Sequence, residues 1–358
     1  MAGLLTGSLI AFLISLLMTP LVKKLAFRVG AVDRPEARKV HSRLMPRMGG
    51  LAIFLGFTIT ILLVEPMTKS NIGLLAGGLL ILLLGLADDI VGVSPRMKLL
   101  GQIIAAGVLV GFGEKIDFLT NPFGAHMFYL PAAVGIPLTI FWIVGVTNAV
   151  NLVDGLDGLA GGLAAIASLT LALIGWANDQ MMIVVPAVIL SASIIGFLKY
   201  NFHPAKIFMG DSGSLFLGYM LAGLSVIGLT KGAAVISVFV PILILGIPIF
   251  DTLYAIVRRF INNQPILEAD KGHLHHRLLA IGLSHRQTVV AIYGISSVLG
   301  GCAIVLTFLT TAQAFVAFLG ISVLVLLGAN RIGVMSAKAM QNVQAFDDIA
   351  NNKPNIGM

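Results

Sequence analysis

The chain has 358 residues, of which 58% are hydrophobic and only 11% are charged, and its mean hydropathy is +0.99. Soluble domains carry about 25% charged residues, so this composition excludes an ordinary soluble protein and predicts a polytopic integral membrane protein. The net charge of +7 is therefore no indication of nucleic-acid binding, and the single cysteine, Cys302, excludes an internal disulfide framework and a multi-cysteine metal site.

Apolar runs long enough to cross a bilayer recur along the whole chain. The first follows no basic segment and is longer than a typical signal-peptide core, so we expect a membrane span there. The runs predict an all-α polytopic fold with eleven transmembrane helices, near residues 3–22, 48–64, 71–87, 99–113, 134–153, 158–176, 181–199, 213–230, 234–256, 288–308 and 312–329. We expect residues 1–330 to form one transmembrane catalytic domain and residues 331–358 to form a polar cytoplasmic tail.

The basic residues predict the orientation of these helices. With the N-terminus outside, all but Lys69, Lys115 and Lys231 of the 23 lysines and arginines fall in inner loops or the tail. Such an excess of positive charge is typical of cytoplasmic loops. The C-terminus is then cytoplasmic, and so are the loops expected to carry the active site, which are 23–47, 88–98, 151–158, 200–213 and 257–287.

A polar motif interrupts the apolar sequence at the end of the fifth span, in TNAVNLVDGLDGLAGG (147–162). Its residues Asn148, Asn151, Asp154 and Asp157 repeat every three positions. On a helix, this spacing places the four side chains along one slowly drifting stripe. Ionisable groups this close to hydrocarbon are costly and tend to mark function.

Other motifs also lie at predicted cytoplasmic helix ends. Each has a structural explanation of its own, because a helix end is solvated, an aspartate before a helix is a natural N-cap, and a histidine run can be a solvated loop or a zinc site. The residues are Asp88 and Asp89 in LADD, Lys98 at the start of the fourth span, Asp211 in FMGDSG, and His273, His275, His276 and Arg277 in HLHHR.

Their grouping on one face of the membrane indicates chemistry. Clustered carboxylates repel one another unless a cation lies among them, and oxygen ligands from Asp and Asn suit Mg²⁺. Lysine, arginine and histidine suit phosphate oxygens. The sequence therefore predicts Mg²⁺-dependent phosphate chemistry at the cytoplasmic surface. Asp251 differs, since it precedes Arg258 by about two turns and lies deeper; a structural and a catalytic role are both open.

Five motifs, in order, resemble one known family over about residues 5–330. They are DRPEARKVHSRLMPRMGG (33–50), LADD, TNAVNLVDGLDGLAGG, FMGDSGSLFLG and HLHHR, and they resemble the polyprenyl-phosphate N-acetylhexosamine-1-phosphate transferases. The H-x-H-H-R form resembles the WecA/TagO branch, which uses UDP-N-acetylglucosamine (UDP-GlcNAc). The muramyl-pentapeptide branch typically carries three consecutive histidines there.

The resemblance implies a reaction and its partners. Undecaprenyl phosphate attacks the β-phosphorus of UDP-GlcNAc, UMP leaves, and undecaprenyl-diphospho-GlcNAc remains in the inner leaflet of a bacterial plasma membrane. Catalysis then requires negative phosphate oxygens to be brought together in line, with Mg²⁺, or alternatively Mn²⁺, to neutralise and orient them. The preferred pathway is wall teichoic acid synthesis in Gram-positive bacteria. Relatives form dimers, which implies a homodimer.

The resemblance also implies metal-binding and catalytic roles. Asp211 matches the principal Mg²⁺ ligand, and Asn151 matches a second ligand. Asp88 matches the group that receives the proton of the lipid phosphate or orients it, and Asp89 would support the metal or phosphate site. Direct attack and a covalent aspartyl intermediate are both compatible with these residues.

The remaining roles concern the nucleotide sugar. Lys98 matches a diphosphate-binding lysine, Phe208 an aromatic that stacks on uracil, and Asp157 a uracil contact with Asp154 beside it. Asn151, Asp154 and Asp157 would form one wall of this site. The HLHHR residues would grip the sugar-phosphate end, with catalytic roles for His275 and His276 and substrate-binding roles for His273 and Arg277.

Two alternatives differ in substrate or in class. The first is the same reaction with another UDP-sugar, as in phospho-MurNAc-pentapeptide transfer, against which the HLHHR motif argues. The second is a proton-coupled transporter. A carrier usually places its ionisable groups near the bilayer midplane within repeated halves, whereas here they cluster at one surface and the sequence shows no repeat.

Overall fold

A computed structural model describes residues 2–33, 44–119, 121, 123, 127–231, 239–262 and 272–331. These residues form thirteen helices: α1 (Ala2–Val29), α2 (Gly49–Val64), α3 (Lys69–Val91), α4 (Pro95–Gly111), α5 (Ala132–Val153), α6 (Leu159–Ala177), α7 (Met181–Asn201), α8 (Asp211–Lys231), α9 (Phe239–Ile244), α10 (Gly246–Ile261), α11 (Leu274–Ala280), α12 (His285–Leu306) and α13 (Thr311–Arg331). Two antiparallel pairs of two-residue strands complete them: β1 (Val32–Asp33) with β2 (Met45–Pro46), and β3 (Phe118–Leu119) with β4 (Phe128–Tyr129).

The predicted all-α polytopic membrane fold is confirmed. Eight of the described helices are long and apolar enough to cross a membrane. Every predicted span overlaps a helix or a pair of helices, and residues 234–238 of the ninth span lie outside the described residues. The helices α2 and α4 are shorter, with 16 and 17 residues. The count of eleven spans, the orientation and the domain bounds stay predictions. Residues 34–43 and 263–271 of the predicted loops, and the tail beyond Arg331, lie outside the described residues.

The predicted ninth span is not one continuous helix. Helix α9 ends at Ile244 and α10 begins at Gly246, with Leu245 between them. Pro248 explains the break, because its ring removes the hydrogen bond to the carbonyl of Ile244 and clashes with that carbonyl in a continuous helix. In the first turn of a new helix the same proline is tolerated.

Helix α10 has its polar side facing the protein. Asp251, Arg258 and Arg259 are buried, whereas Val257 and Phe260 on the same helix are exposed. This is the reverse of an amphipathic helix on a soluble protein, whose polar face meets water. Two of these charged groups, Asp251 and Arg258, contact the segment that begins at Gly272.

The centre and the periphery of the bundle differ sharply in burial. In α8, 89% of the apolar stretch is buried, compared with 6% in α13. Helix α1 exposes a leucine at every fourth position, as lipid contact requires: Leu5, Leu9, Leu13, Leu17, Leu21 and Leu25.

Glycines let α8 approach its neighbours closely, which positions the polar motifs. A Cβ on Gly85 of α3 would lie 2.4 Å from the Cα of Ser212 in α8. A Cβ on Gly50 of α2 would lie 2.1 Å from the backbone nitrogen of Gly213. Because neither position leaves room for a side chain, the carboxyl end of α3 and the start of α2 lie directly against the N-terminus of α8.

Candidate active site

One lysine joins the end of α3 to the start of α8. The Lys98 Nζ atom lies 2.7 Å from Asp88 Oδ2 and 2.7 Å from Asp211 Oδ2. Local structure fixes each partner: the backbone N–H of Val93 donates to Asp88 Oδ1 at 2.7 Å, and the Ser94 side chain caps the N-terminus of α4, which carries Lys98. The two aspartates and the lysine therefore form a bridged ion pair.

Asp89 holds in place the N-terminus of α8, which carries Asp211. Its carboxylate accepts the backbone N–H groups of Asp211 at 2.9 Å and Ser212 at 3.1 Å, so it caps the N-terminus of α8. The left-handed backbone of Gly210 (φ +73) allows this approach, and a Cβ there would lie 2.4 Å from Asp89 Oδ2. Both Asp89 oxygens accept backbone N–H groups in a buried position, so the geometry gives this residue a positioning role.

Arg47 is the second cation of the group, and the sequence motifs did not single it out. Its Nε lies 3.4 Å from Asp89 Oδ1, and its Nη2 lies 3.9 Å from Asp211 Oδ1. We call Asp88, Asp89, Asp211, Lys98 and Arg47 the carboxylate cluster. Its three carboxylates outnumber its two cations, so the cluster carries one negative charge in excess.

The turn between α5 and α6 differs from the predicted stripe. Helix α5 ends at Val153, so Asp154 and Asp157 do not continue its face; the prediction of one helical stripe was wrong beyond this point. The chain leaves the helix at Asp154 (φ -74, ψ 50), and the left-handed backbone of Gly158 (φ +79) begins α6 in a new direction. Asn148 does not face the candidate site either, because its side-chain N–H₂ group donates a hydrogen bond to Gln102 at 2.6 Å.

Asn151, in the last turn of α5, and Asp154, just after that helix, both face α8 and the carboxylates near it. Asn151 Nδ2 donates to Ser214 Oγ of α8 at 2.8 Å, which leaves its amide oxygen as the group that can bind a ligand. Burial first, and then the nearby carboxylates of Asp211 and Asp89, raise the pKa of Asp154 to about 7. Asp154 therefore belongs electrostatically with the carboxylate cluster.

The predicted histidine motif lies on the short helix α11 and just before it. We call His273, His275, His276 and Asp251 the histidine cluster. Asp251 Oδ2 lies 2.9 Å from His273 Nδ1, and the backbone N–H of Leu274 donates to Asp251 Oδ1 at 2.8 Å. The carboxylate of Asp251 therefore contacts the ring of His273 and caps α11, an arrangement with which both a structural role and a role in positioning His273 are compatible.

A second residue of α10 holds the same segment. The Arg258 Nη1 atom donates to the carbonyl of Gly272 at 2.9 Å. A Cβ on Gly272 would lie 2.3 Å from the Arg258 guanidinium carbon, so a side chain there would displace the arginine. The inward-facing polar side of α10 is therefore the platform on which the histidine motif rests.

His275 joins the histidine motif to the α5–α6 turn. Its Nε2 would lie 2.4 Å from a Cβ on Gly155, and the ring packs against His276 with 4.2 Å between centroids. Burial lowers the pKa of His275 well below its usual value, and the neighbouring histidines add to this effect. The buried Nε2 has no hydrogen-bond partner among the described residues, which costs about 1–3 kcal/mol and makes it a candidate substrate contact.

Two predicted substrate-binding residues take different environments. Phe208 is half-buried in the extended segment before α8, and its backbone pairs with Pro46 at 2.8 Å and Gly49 at 3.0 Å. Arg277 is 2% exposed, so its side chain is buried within the protein and does not lie on an open surface.

The arrangement as a whole defines a class of protein. It is a multi-pass membrane protein whose carboxylates, amide oxygens, cations and histidines gather where several helices end. Such a set can bind a cation and phosphate oxygens together.

Comparison with known proteins identifies the family. A model of glycosyl transferase family 4 matches residues 71–229. The chain is 46% identical over 302 residues to a probable undecaprenyl-phosphate N-acetylglucosaminyl 1-phosphate transferase of Bacillus subtilis, covering 83% of this chain and 84% of the relative. It is 38% identical to a decaprenyl-phosphate N-acetylglucosaminephosphotransferase of Mycolicibacterium smegmatis, covering 80% and 77%. It is 32% identical to the phospho-N-acetylmuramoyl-pentapeptide-transferase of B. subtilis, covering 81% and 92%. The chain belongs to glycosyl transferase family 4, and the resemblance that the motifs indicated is confirmed.

Proposed function

We propose that this protein transfers GlcNAc 1-phosphate from UDP-GlcNAc to undecaprenyl phosphate and releases UMP. The B. subtilis and M. smegmatis relatives are named for transfer of this sugar phosphate to a polyprenyl phosphate. The observation that carries the proposal is the carboxylate cluster, in which Lys98 bridges Asp88 and Asp211 at the start of α8. Such charges suit a reaction between a phosphate monoester and a diphosphate, whose negative oxygens must be held in line.

The donor atoms of the cluster fit a magnesium ion. Three carboxylates face two cations, and Asp154 stands next to them with a pKa of about 7. A divalent cation would offset this excess of negative charge, and Asp211 together with the amide oxygen of Asn151 would hold it. When bound, Mg²⁺ supplies charge neutralisation and orientation of the diphosphate oxygens.

The protein's own side chains account for the other requirements. An oxygen of the lipid phosphate forms a new bond to the β-phosphorus, while the bond from this phosphorus to the oxygen bridging the α- and β-phosphates breaks, and UMP leaves with that oxygen. Lys98 and Arg47 would bind phosphate oxygens next to the carboxylates that they contact in this structure. Asp88 then orients the lipid phosphate, because its Oδ1 is fixed by Val93. His275 presents its unpartnered Nε2 towards the turn that carries Asp154.

The cellular setting follows from the same proposal. UDP-sugars are cytoplasmic, so we place the site on the cytoplasmic side of a bacterial plasma membrane, in agreement with the distribution of lysine and arginine. We propose that the product starts a cell-envelope glycan, with the wall teichoic acid linkage unit as the candidate. Depletion of the protein would then lower wall phosphate, and unchanged wall phosphate would reject this pathway.

A direct assay tests the reaction. Purified protein in detergent receives undecaprenyl phosphate, Mg²⁺ and one of UDP-GlcNAc, UDP-GalNAc or UDP-MurNAc-pentapeptide, with and without EDTA. We expect UMP from UDP-GlcNAc alone, only with lipid, and none with EDTA. UMP from the pentapeptide donor would overturn the substrate but keep the reaction class, and no UMP from any donor with folded protein would overturn the proposal.

A further inference from the structure

A second group of potential metal ligands lies outside the carboxylate cluster. Asp157 belongs to the α5–α6 turn, His203 follows α7, and His285 is the first residue of α12. One ligand atom from each of the three lies within 4.8 Å of the others. Three separate segments of the chain thus bring two imidazoles and one carboxylate together at half-buried positions.

The contacts within this group are specific. Asp157 Oδ2 lies 2.9 Å from His203 Nδ1 and accepts the backbone N–H of Ala205 at 3.0 Å. The rings of His203 and His285 are stacked, with 4.1 Å between centroids and 20° between planes. The buried Nε2 atom of His285 has no hydrogen-bond partner among the described residues. An unpartnered imidazole nitrogen beside a second imidazole and a carboxylate is what a metal ion would satisfy.

We propose that Asp157, His203 and His285 form a binding site for a divalent transition-metal ion of the Zn²⁺ type. Two imidazoles and one carboxylate are the protein ligands of open zinc sites, whereas Mg²⁺ prefers oxygen ligands throughout. The Ala205 N–H is the kind of outer hydrogen bond that orients a ligating carboxylate. This site is therefore chemically distinct from the Mg²⁺ site proposed for Asp211 and Asn151.

A metal ion at this site would affect nucleotide binding, because Asp157 belongs to the α5–α6 turn. Neighbouring residues fix the turn that carries Asp157, since Asn201 Oδ1 accepts the N–H of Gly158 at 3.1 Å and the Tyr293 hydroxyl donates to the carbonyl of Gly158. A metal ion on Asp157 would link this turn to α12 and withdraw the carboxylate from the nucleotide. Zn²⁺ is then an inhibitor of nucleotide binding; this consequence rests on the proposed function, while the metal site does not.

Direct metal binding tests the site. The full chain in detergent, stripped with EDTA and dialysed, is titrated with Zn²⁺ by calorimetry and with Co²⁺ by visible absorption. We expect one saturable site, an affinity about tenfold or more lower in His285→Gln and in His203→Gln, and no loss in the control His276→Gln. Size-exclusion profiles and a Zn²⁺-dependent rise in Tm show whether each variant is folded and loaded. Absence of saturable binding, or binding lost only in His276→Gln, overturns the proposal.

A second measurement separates the site from its consequence. UMP binding is measured with and without Zn²⁺, and we expect Zn²⁺ to weaken it in the wild type but not in His285→Gln. If Zn²⁺ binds through His203 and His285 and UMP affinity is unchanged, the inhibitory consequence is overturned. If UMP does not bind at all, the proposed function is overturned, and the metal titration still decides the metal site.

Discussion

The carboxylate cluster and the histidine cluster are built in different ways. The first lies where long, closely packed helices end, and its charged groups contact one another directly across 2.7 Å. The second lies on a seven-residue helix, α11, and two residues of α10, Asp251 and Arg258, hold it in place. A set of charges in direct contact with one another is thus combined with a set that side chains of α10 hold from outside. We expect substitutions to affect chemistry most in the first cluster and positioning most in the second.

The largest expected effect comes from removing a charge at the centre of the carboxylate cluster. Asp211→Asn keeps the shape of the side chain but removes its charge next to Lys98, so we expect UMP release to fall by about 10²–10³-fold, with the Mg²⁺ dependence weakened. Asp88→Asn should lose as much activity and keep nucleotide binding. The matched control is Asp117→Asn, whose carboxylate pairs with Lys115 away from the cluster. Activity close to wild type in both cluster variants would show that the site is misassigned.

The support of the same cluster can be tested without touching a charged residue. Gly210→Ala places a Cβ 2.4 Å from Asp89 Oδ2 and on a backbone with φ +73. We expect α8 to shift away from Asp89 and turnover to fall by about 10²-fold, because small displacements of reacting groups are costly. Gly113→Ala also has a positive φ (+100) and open space around it, and it lies beyond the end of α4 that is opposite Lys98, so it carries backbone strain away from the cluster. Equal activity losses in the two variants would mean that strain, and not displacement of Asp89, is responsible.

The sequence predicts best those features of the fold that depend on a continuous run of residues. Helices follow from apolar runs, and Asp88, Lys98 and Asp211 meet as predicted because each lies at the end of such a run. The break at Leu245 depends on Pro248. This proline lies within an apolar run, so hydropathy alone predicts one continuous span there. Helix α5 ends at Val153, and the three-residue spacing of Asn151, Asp154 and Asp157 did not reveal this end.

The partners that the sequence did not reveal lie far away along the chain. His203 and His285 are separated by α8 to α11 and still stack, and no spacing rule relates them. Arg47 reaches Asp89 from the start of α2, and nothing in its neighbourhood distinguishes it from the other basic residues of that loop. Tertiary packing alone brings these groups together, so the structure was needed to find them.

The histidine cluster gives the third prediction. Asp251→Asn keeps an acceptor for the N–H of Leu274 but presents an N–H₂ group to His273, which favours the opposite tautomer of that ring. We expect α11 to remain folded, with Tm nearly unchanged, and kcat to fall by about tenfold with a changed pH profile. Asp251→Ala should lower Tm as well, since it removes the cap of α11. If Asp251→Asn changes Tm and leaves the pH profile of kcat unaltered, Asp251 supports the fold only and does not position His273.

The smallest effect concerns Asp154, which lies between the two clusters. Burial and the nearby carboxylates raise its pKa to about 7, above the value of about 3.9 in an unfolded chain. Folding therefore favours the protonated form: the cost of ionising Asp154 is absent below pH 4, develops between pH 4 and pH 7, and is fully present at higher pH. In EDTA, Asp154→Asn should raise Tm most at pH 8, less at pH 5, and hardly at all at pH 4. Addition of Mg²⁺ should reduce the difference at pH 8, because a cation among the carboxylates stabilises the ionised wild type. A Tm difference that is the same at all three pH values would show that Asp154 is not held among the carboxylates of α3 and α8, and the turn would then belong with the histidine cluster alone.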